Sequence, residues 1–305
     1  MKWPLKSSPV SRDQLPLYNL MYLHAPGIEN ADSTILWGTE IDATGLQAWL
    51  DVCRSDSPVL ISTSHVLLQA TAQALAQHPH LNRRVVGRRV FSFRNINLRL
   101  AFQNPAHGGV DVVLVRSAEK CSLQQIASLV WKTLLLAHRG EAGIERDRQR
   151  MRSLPSWGFH WLLAVYHWLD RRWPLPTVGR LDDLRCSAVL VNDLSFRNAP
   201  PMRCYKPTRF PDESISINIT LGPMEEKVVV RDGQPAAGTV APLFVRVDHR
   251  IVDAYQLGQF LATLRELLQH PAQMDALAAK HQRSTVESLM QRPDASLGDR
   301  SRKTA

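Results

Sequence analysis

The chain has 305 residues, 44% hydrophobic and 21% charged, the composition of a globular protein able to bury a substantial core as one large domain or two smaller ones. Its four cysteines, Cys53, Cys121, Cys186 and Cys204, stand far apart with neither CxxC nor Cys/His metal spacing, so neither a zinc site nor a disulfide framework is implied. A net charge of +9, densest in the six arginines of Arg83–Arg99, suits coenzyme phosphates, an acidic carrier protein, nucleic acid or an anionic membrane face without choosing among them.

The N-terminal stretch MKWPLKSSPVSRDQLPLYNL has no apolar core followed by a small-residue cleavage site, so a cytoplasmic protein with reduced thiols is expected. Residues 1–17, rich in Pro and Ser, predict an irregular arm. Leu20–Leu23 and Thr34–Ile41 read as strands around a turn-prone AlaProGlyIleGluAsn segment. Thr44–Cys53 predicts a short helix. A longer one is expected over Ser62–Gln77, with Val66, Leu67, Ala70, Ala74 and Leu75 on one side and Pro79 beyond its end. Val85–Phe93, Ile96–Phe102 and Val110–Val115 cluster β-branched and apolar residues as strands do. Ser122–His138 is a helix with a Ser122/Gln125 capping-box pattern and Gly140 past its end. Helices alternating with strands make this a mixed α/β chain.

Residues 141–176 break the pattern. SLPSWGFHWLLAVYHWLDRRWPLP carries Trp157, Trp161, Trp168 and Trp173, but its apolar part runs only from Trp157 to Leu169, shorter than the roughly 20 residues a bilayer span needs. We read it as a helix that packs on the sheet or lines an acyl-chain tunnel, in preference to one lying at a membrane surface, a contact that its Trp and Arg content leaves open. Further on, Ser187–Val191 and Ser214–Leu221 read as strands. In the second, Ile215, Ile217, Ile219 and Leu221 alternate with Ser216, Asn218 and Thr220, so one face is buried and the other polar, as in the wall of a cleft. LysValValValArg before an Asp-Gly turn and Leu243–Val247 are the last strands, and residues 290–305 predict a disordered tail.

Leu243–Val247 passes into a helix after Asp253, where Leu257, Phe260, Leu261, Leu264, Leu267 and Leu268 recur at three- and four-residue spacing. His249 and Asp253 therefore occupy a strand-to-helix turn, with Asp253 placed to cap the helix. The His-x-x-x-Asp spacing alone is weak: His107 and Asp111 repeat it in HGGVD, a glycine-rich turn poorly suited to hold a base in position. His249 differs in having a hydrophobic strand before it, an amphipathic helix after it, and Asp248 and Arg250 beside it.

VDHRIVDAYQLGQFLATLRELLQHP resembles the DHRxxDG signature and following helix of the acyltransferase core of 2-oxoacid dehydrogenase complexes, a family with the chloramphenicol acetyltransferase-like fold. LISTSHVLLQATAQALAQHPHLNR, with Pro79, Leu81 and Asn82, and INLRLAFQNPAHGGVDVVLVRSAEKCSLQQIA resemble its preceding helix and strands. SAVLVNDLS stands where the family has Thr-Ile-Ser-Asn-Leu-Gly, and INITLGPMEEKVVVRDG resembles the strand pair before the motif. In order, these cover roughly Pro58–Pro271, interrupted by the Trp-rich insert.

The resemblance implies a central mixed sheet flanked by helices, a single catalytic domain over residues 18–289 with an insert at about 141–180, and a homotrimer with active sites between subunits. It implies no permanently bound cofactor; coenzyme A or a pantetheinyl thioester would be a co-substrate, and the carrier arm of an acyl carrier protein could present it. His249 would be the general base and Asp253 a structural support. Asn192, aligned with the family's serine, and Ser195, the nearest hydroxyl, are candidate oxyanion donors, and Arg250 is a candidate coenzyme contact. Ala254 replaces the family's glycine, and no lipoyl domain precedes the core, which points to a stand-alone acyltransferase. A trimeric scaffold that kept the fold and lost the reaction is the other class, and nucleic acid is not expected because no binding motif accompanies the charge.

Overall fold

A computed structural model of the chain describes residues 7–11, 14, 34–86, 89–104, 110–140, 155, 157, 158, 161, 164, 165, 168, 186–195, 215–231 and 233–290. In chain order its elements are β1 (Ser7–Pro9), β2 (Thr34–Asp42), α1 (Thr44–Asp56), α2 (Thr63–Gln77), β3 (Arg83–Val86), β4 (Arg89–Phe93), β5 (Leu98–Gln103), β6 (Val110–Val115) and α3 (Leu123–His138). After these come β7 (Val189–Asp193), β8 (Ile217–Leu221), β9 (Glu225–Arg231), β10 (Gln234–Asp248), α4 (Ala254–Gln269) and α5 (Met274–Met290).

The main sheet runs β2-β10-β8-β7-β5-β6, with β9 paired to the first half of β10. β7 lies parallel to β5 and β8, while the other pairs are antiparallel, so the sheet is mixed. Strand alternation sends Val189, Val191, Ile217, Ile219, Leu221, Leu243 and Val247 into the helical layer, where each is essentially fully buried. Burying a side chain of this size contributes about 2 kcal/mol. Helix α2 lies at the centre of that layer, against β5, β7, α3 and α4, and every residue from His65 to Leu75 is buried. The Leu257, Phe260, Leu261, Leu264, Leu267 and Leu268 stripe of α4 is buried as its spacing requires. Two glycines have a specific task. Gly233 adopts φ +78 between β9 and β10, and a Cβ on Gly222 would come within 2.5 Å of the Pro242 ring.

Several expectations change. Val85–Phe93 is not one strand: Arg83–Val86 and Arg89–Phe93 form an antiparallel hairpin. The arm over 1–17 is not wholly irregular, since Ser7–Pro9 adds a strand to that hairpin. The last strand is far longer than Leu243–Val247, because its first half pairs with β9 and its second with β2 and β8. The 83–99 arginines, where the positive charge is densest, are not all at the surface. Arg84 and Arg99 are buried, and the Arg84 guanidinium lies 5.7 and 5.6 Å from the ring centres of Phe91 and Phe93. The expected strand Leu20–Leu23, His107 of HGGVD and the tail beyond residue 290 fall outside the described residues.

Candidate active site

β10 ends at Asp248, and the turn that follows is pinned from inside. The Asp248 carboxylate accepts from the Arg250 backbone at 3.0 Å, from its Nε at 2.9 Å and from its Nη2 at 2.7 Å, and both side chains are buried. This occupies the guanidinium with an internal carboxylate, so Arg250 does not offer itself to a coenzyme phosphate as expected; its work is to hold the turn. The Ile251 amide closes the turn onto the Asp248 carbonyl at 3.1 Å.

His249, half-buried, projects between these anchors with Nδ1 2.7 Å from the Val252 carbonyl oxygen. A carbonyl can only accept, so Nδ1 carries the proton, and in the neutral ring Nε2 is the basic nitrogen. Asp253 fixes the same segment from the other side. It is the N-cap of α4, its carboxylate accepting from the Gln256 amide at 2.7 Å while the Gln256 side chain returns to the Asp253 amide at 3.4 Å. Its negative charge also reaches His80, whose protonation is suppressed by burial, then by Arg83 and His78, with Asp253 pulling the other way. Of the second His-x-x-x-Asp pair, only Asp111 lies among the described residues. Asp111 is buried against the Asn104 amide at 2.7 Å.

On the face of the sheet opposite the helices is a cavity of about 220 Å³. Its apolar lining includes Trp37, Leu190, Leu194 and Phe244, and its polar lining is Asn192, Asn218, Thr220 and Arg246. Asn192 donates its amide to Asn218 Oδ1 at 2.5 Å and to Thr220 Oγ1 at 3.3 Å. Ser195 is not part of the cavity lining: both its amide and its hydroxyl are drawn to Asp193, whose other oxygen accepts from Ser64 at 2.6 Å. Among the candidates read from the sequence, therefore, only Asn192 reaches the cavity. Thr220 was visible only as one polar member of the alternating cleft wall, and Arg246 carried no signal of its own.

His249 and the Asn192–Thr220 pair stand apart within one chain. Asn192 pairs with Thr220, and Thr220 with Phe244. Asp248, the last residue of β10, lies four residues beyond Phe244, about 14 Å along the strand at a rise of roughly 3.4 Å per residue, and His249 follows it in the turn. No side-chain rotation closes such a gap.

The family model for the catalytic domain of 2-oxoacid dehydrogenase acyltransferases matches residues 33–146 and 214–276. The chain belongs to that family. It is an acyltransferase domain, and the stretch 147–213, which holds the Trp-rich segment and β7, is not covered by the family match. No curated protein matches it in sequence. Among solved structures it is similar to a probable dihydrolipoamide acetyltransferase from Listeria monocytogenes, at 18% identity and TM-score 0.56, over 77% of this chain and 84% of that one. The dihydrolipoamide acetyltransferase of Azotobacter vinelandii gives 17% identity and TM-score 0.57, over 84% and 87%. A chloramphenicol acetyltransferase gives 11% and 0.52, over 86% and 99%. At these identities the likeness establishes the fold, a chloramphenicol acetyltransferase-like mixed sheet flanked by helices.

Proposed function

We propose that the chain transfers an acyl group between a thioester, borne by coenzyme A or a pantetheinyl carrier, and a thiol, hydroxyl or amine acceptor, with His249 as general base. The observation that carries this reading is the Nδ1 to Val252 carbonyl bond, which makes Nε2 the basic atom of a ring held in a rigid turn. Nε2 takes the proton of the acceptor as its sulfur, oxygen or nitrogen bonds to the acyl carbon. The carbonyl π electrons move to oxygen, and collapse of the tetrahedral intermediate breaks the thioester bond and returns the proton to the departing thiolate. Both substrates are present together, and no acyl-enzyme forms. In the Azotobacter vinelandii acetyltransferase a serine, a histidine and an asparagine four positions after that histidine have been investigated for roles in the mechanism, and His249 and Asp253 have the same spacing.

For the oxyanion, Thr220 is the donor the geometry favours. Both amide hydrogens of Asn192 are directed to Asn218 and Thr220, and the Ser195 hydroxyl to Asp193, whereas the Thr220 oxygen accepts from Asn192 and keeps its own hydrogen for the cavity. Asn192 then orients Thr220. Because His249 and Thr220 stand so far apart in one chain, we assign the working site to the interface of a homotrimer, the base from one copy and the donor from the next. The enzyme would work in the cytoplasm, where acyl thioesters are made. Screening acyl-coenzyme A thioesters for transfer and hydrolysis tests the reading. His249→Ala is expected to lower the rate by about 10²- to 10⁴-fold and Thr220→Val by about 10²-fold or more, both with the oligomer intact. Unimpaired turnover in His249→Ala would remove His249 as the base, whereas absence of transfer and hydrolysis by the unaltered protein with every thioester would leave the scaffold reading in its place.

A further inference from the structure

The Trp-rich segment packs less than its sequence suggests. Residues 157, 158, 161, 164, 165 and 168 are helical, and Trp157, Trp161, Val165 and Trp168 recur at the three- and four-residue steps that put side chains on one face. All four are exposed, at 72%, 65%, 46% and 60%, contrary to the packed helix or tunnel lining read from the sequence. A monomer rarely leaves three tryptophans together in water without using them for contact. The intervening residues Phe159, Leu162, Leu163 and Tyr166 are also apolar in the sequence.

Charge decides what that partner is. In the sequence the stripe is preceded by Arg146, Arg148, Arg150 and Arg152 and followed by Arg171 and Arg172, against Glu145, Asp147 and Asp170. These six arginines against three acids, in a chain of net charge +9, favour an anionic surface as the partner of this stripe. Tryptophan prefers the headgroup level of a bilayer, where its ring is apolar and its N–H is solvated, and arginine pairs there with lipid phosphate. Among the described residues no helix is long and apolar enough to cross a membrane, so the helix would have to lie along the surface. The segment also lies outside the residues matched by the family model.

We propose that the stripe Trp157, Trp161, Val165 and Trp168 docks the acyltransferase on anionic phospholipid bilayers. The test uses the full chain and sucrose-loaded vesicles of phosphatidylcholine, with or without about 30 mol % phosphatidylglycerol, in about 0.1 M salt. Sedimentation with the anionic vesicles at least about tenfold stronger than with neutral ones, and a blue shift of tryptophan emission, are expected. The triple variant Trp157→Ser, Trp161→Ser, Trp168→Ser is expected to lose binding while keeping its oligomeric mass and its turnover of a water-soluble thioester. Should that variant not fold, Trp161→Ser alone is expected to weaken binding, and Arg171→Glu with Arg172→Glu to abolish the preference for anionic lipid. Absence of sedimentation, or unchanged binding by the Trp variants, overturns the proposal. So does a change of oligomeric mass in the triple variant, which would assign the face to a second copy. Binding of an acyl carrier protein in place of vesicles, lost in the same variant, would assign it to that acidic protein instead.

Discussion

His249 is held in one orientation by its own turn. The Val252 carbonyl that fixes its tautomer immediately precedes Asp253, and Asp253 is tied to the first turn of α4 through Gln256. Capping and tautomer are thus one local construction. Asp253→Ala is expected to cost about 1 kcal/mol in denaturant unfolding, whereas Asp253→Asn, which still offers an acceptor oxygen, costs a small fraction of that. If Asp253 does no more than cap, turnover follows the same order, Ala well below Asn; an Asn variant as inactive as the Ala variant would require a role for the charge itself. His249 and Asp253 were legible from the sequence because hydrophobic periodicity changes from strand to helix between them. Arg250 was misread because a sequence shows a guanidinium but not the buried Asp248 two residues away that occupies it. Thr220 was equally hidden, since what distinguishes it from Ser195 is that it lines the cavity and accepts from Asn192, whereas the Ser195 hydroxyl is bonded to Asp193.

At the scale of elements, long helices were legible because their apolar spacing and caps are local properties, and α3 begins at Leu123 with the Ser122 and Gln125 reciprocity its sequence suggests. Strand limits were not, since pairing partners lie far off in sequence: one short apolar run could not announce that β10 continues through fifteen residues along three neighbours. α2 hides a different feature. Its His65 is 1% exposed, accepts from the Ser62 backbone amide on Nδ1 at 3.0 Å and sets its ring edge to face against Trp131, and burial pushes its pKa from 6.5 down to about 4. The unfolded chain therefore binds a proton there that the folded chain refuses. Stability is full above about pH 6.5 and falls as the pH drops toward 4, by up to roughly 3 kcal/mol. His65→Gln keeps an acceptor at the third position of the helix, where glutamine serves the same reciprocal cap, and is expected to flatten this part of the pH–stability curve. Equilibrium unfolding at pH 7, 5.5 and 4.5 measures it, and an unchanged slope in the variant would place the acid sensitivity elsewhere.

For the molecule as a whole, the register of β10 against β8 carries the largest consequence. Thr220 lies opposite Phe244 while His249 lies beyond the far end of the strand, and the sheet between them is continuous and hydrogen-bonded, so bending it to join the two groups would break the pairing that builds the fold. A base acting on the attacking atom and a donor acting on the carbonyl oxygen serve atoms bonded to the same acyl carbon, each within about 3 Å of its target. If both groups are needed, one comes from another copy. Mixed oligomers separate this from any arrangement within one chain. His249→Ala and Thr220→Val are each expected to be nearly inactive when made alone. Co-expressed in equal amounts and assembled at random into trimers, they should place an intact His249 of one copy beside an intact Thr220 of the next at about a quarter of the interfaces. Activity should then return to about a quarter of wild type, and it should fall as either variant is made to predominate. Purified homo-oligomers mixed without subunit exchange should stay inactive. A co-expressed mixture no more active than its parents would place base and donor in the same chain, which the strand register forbids, and would remove Thr220 from the mechanism.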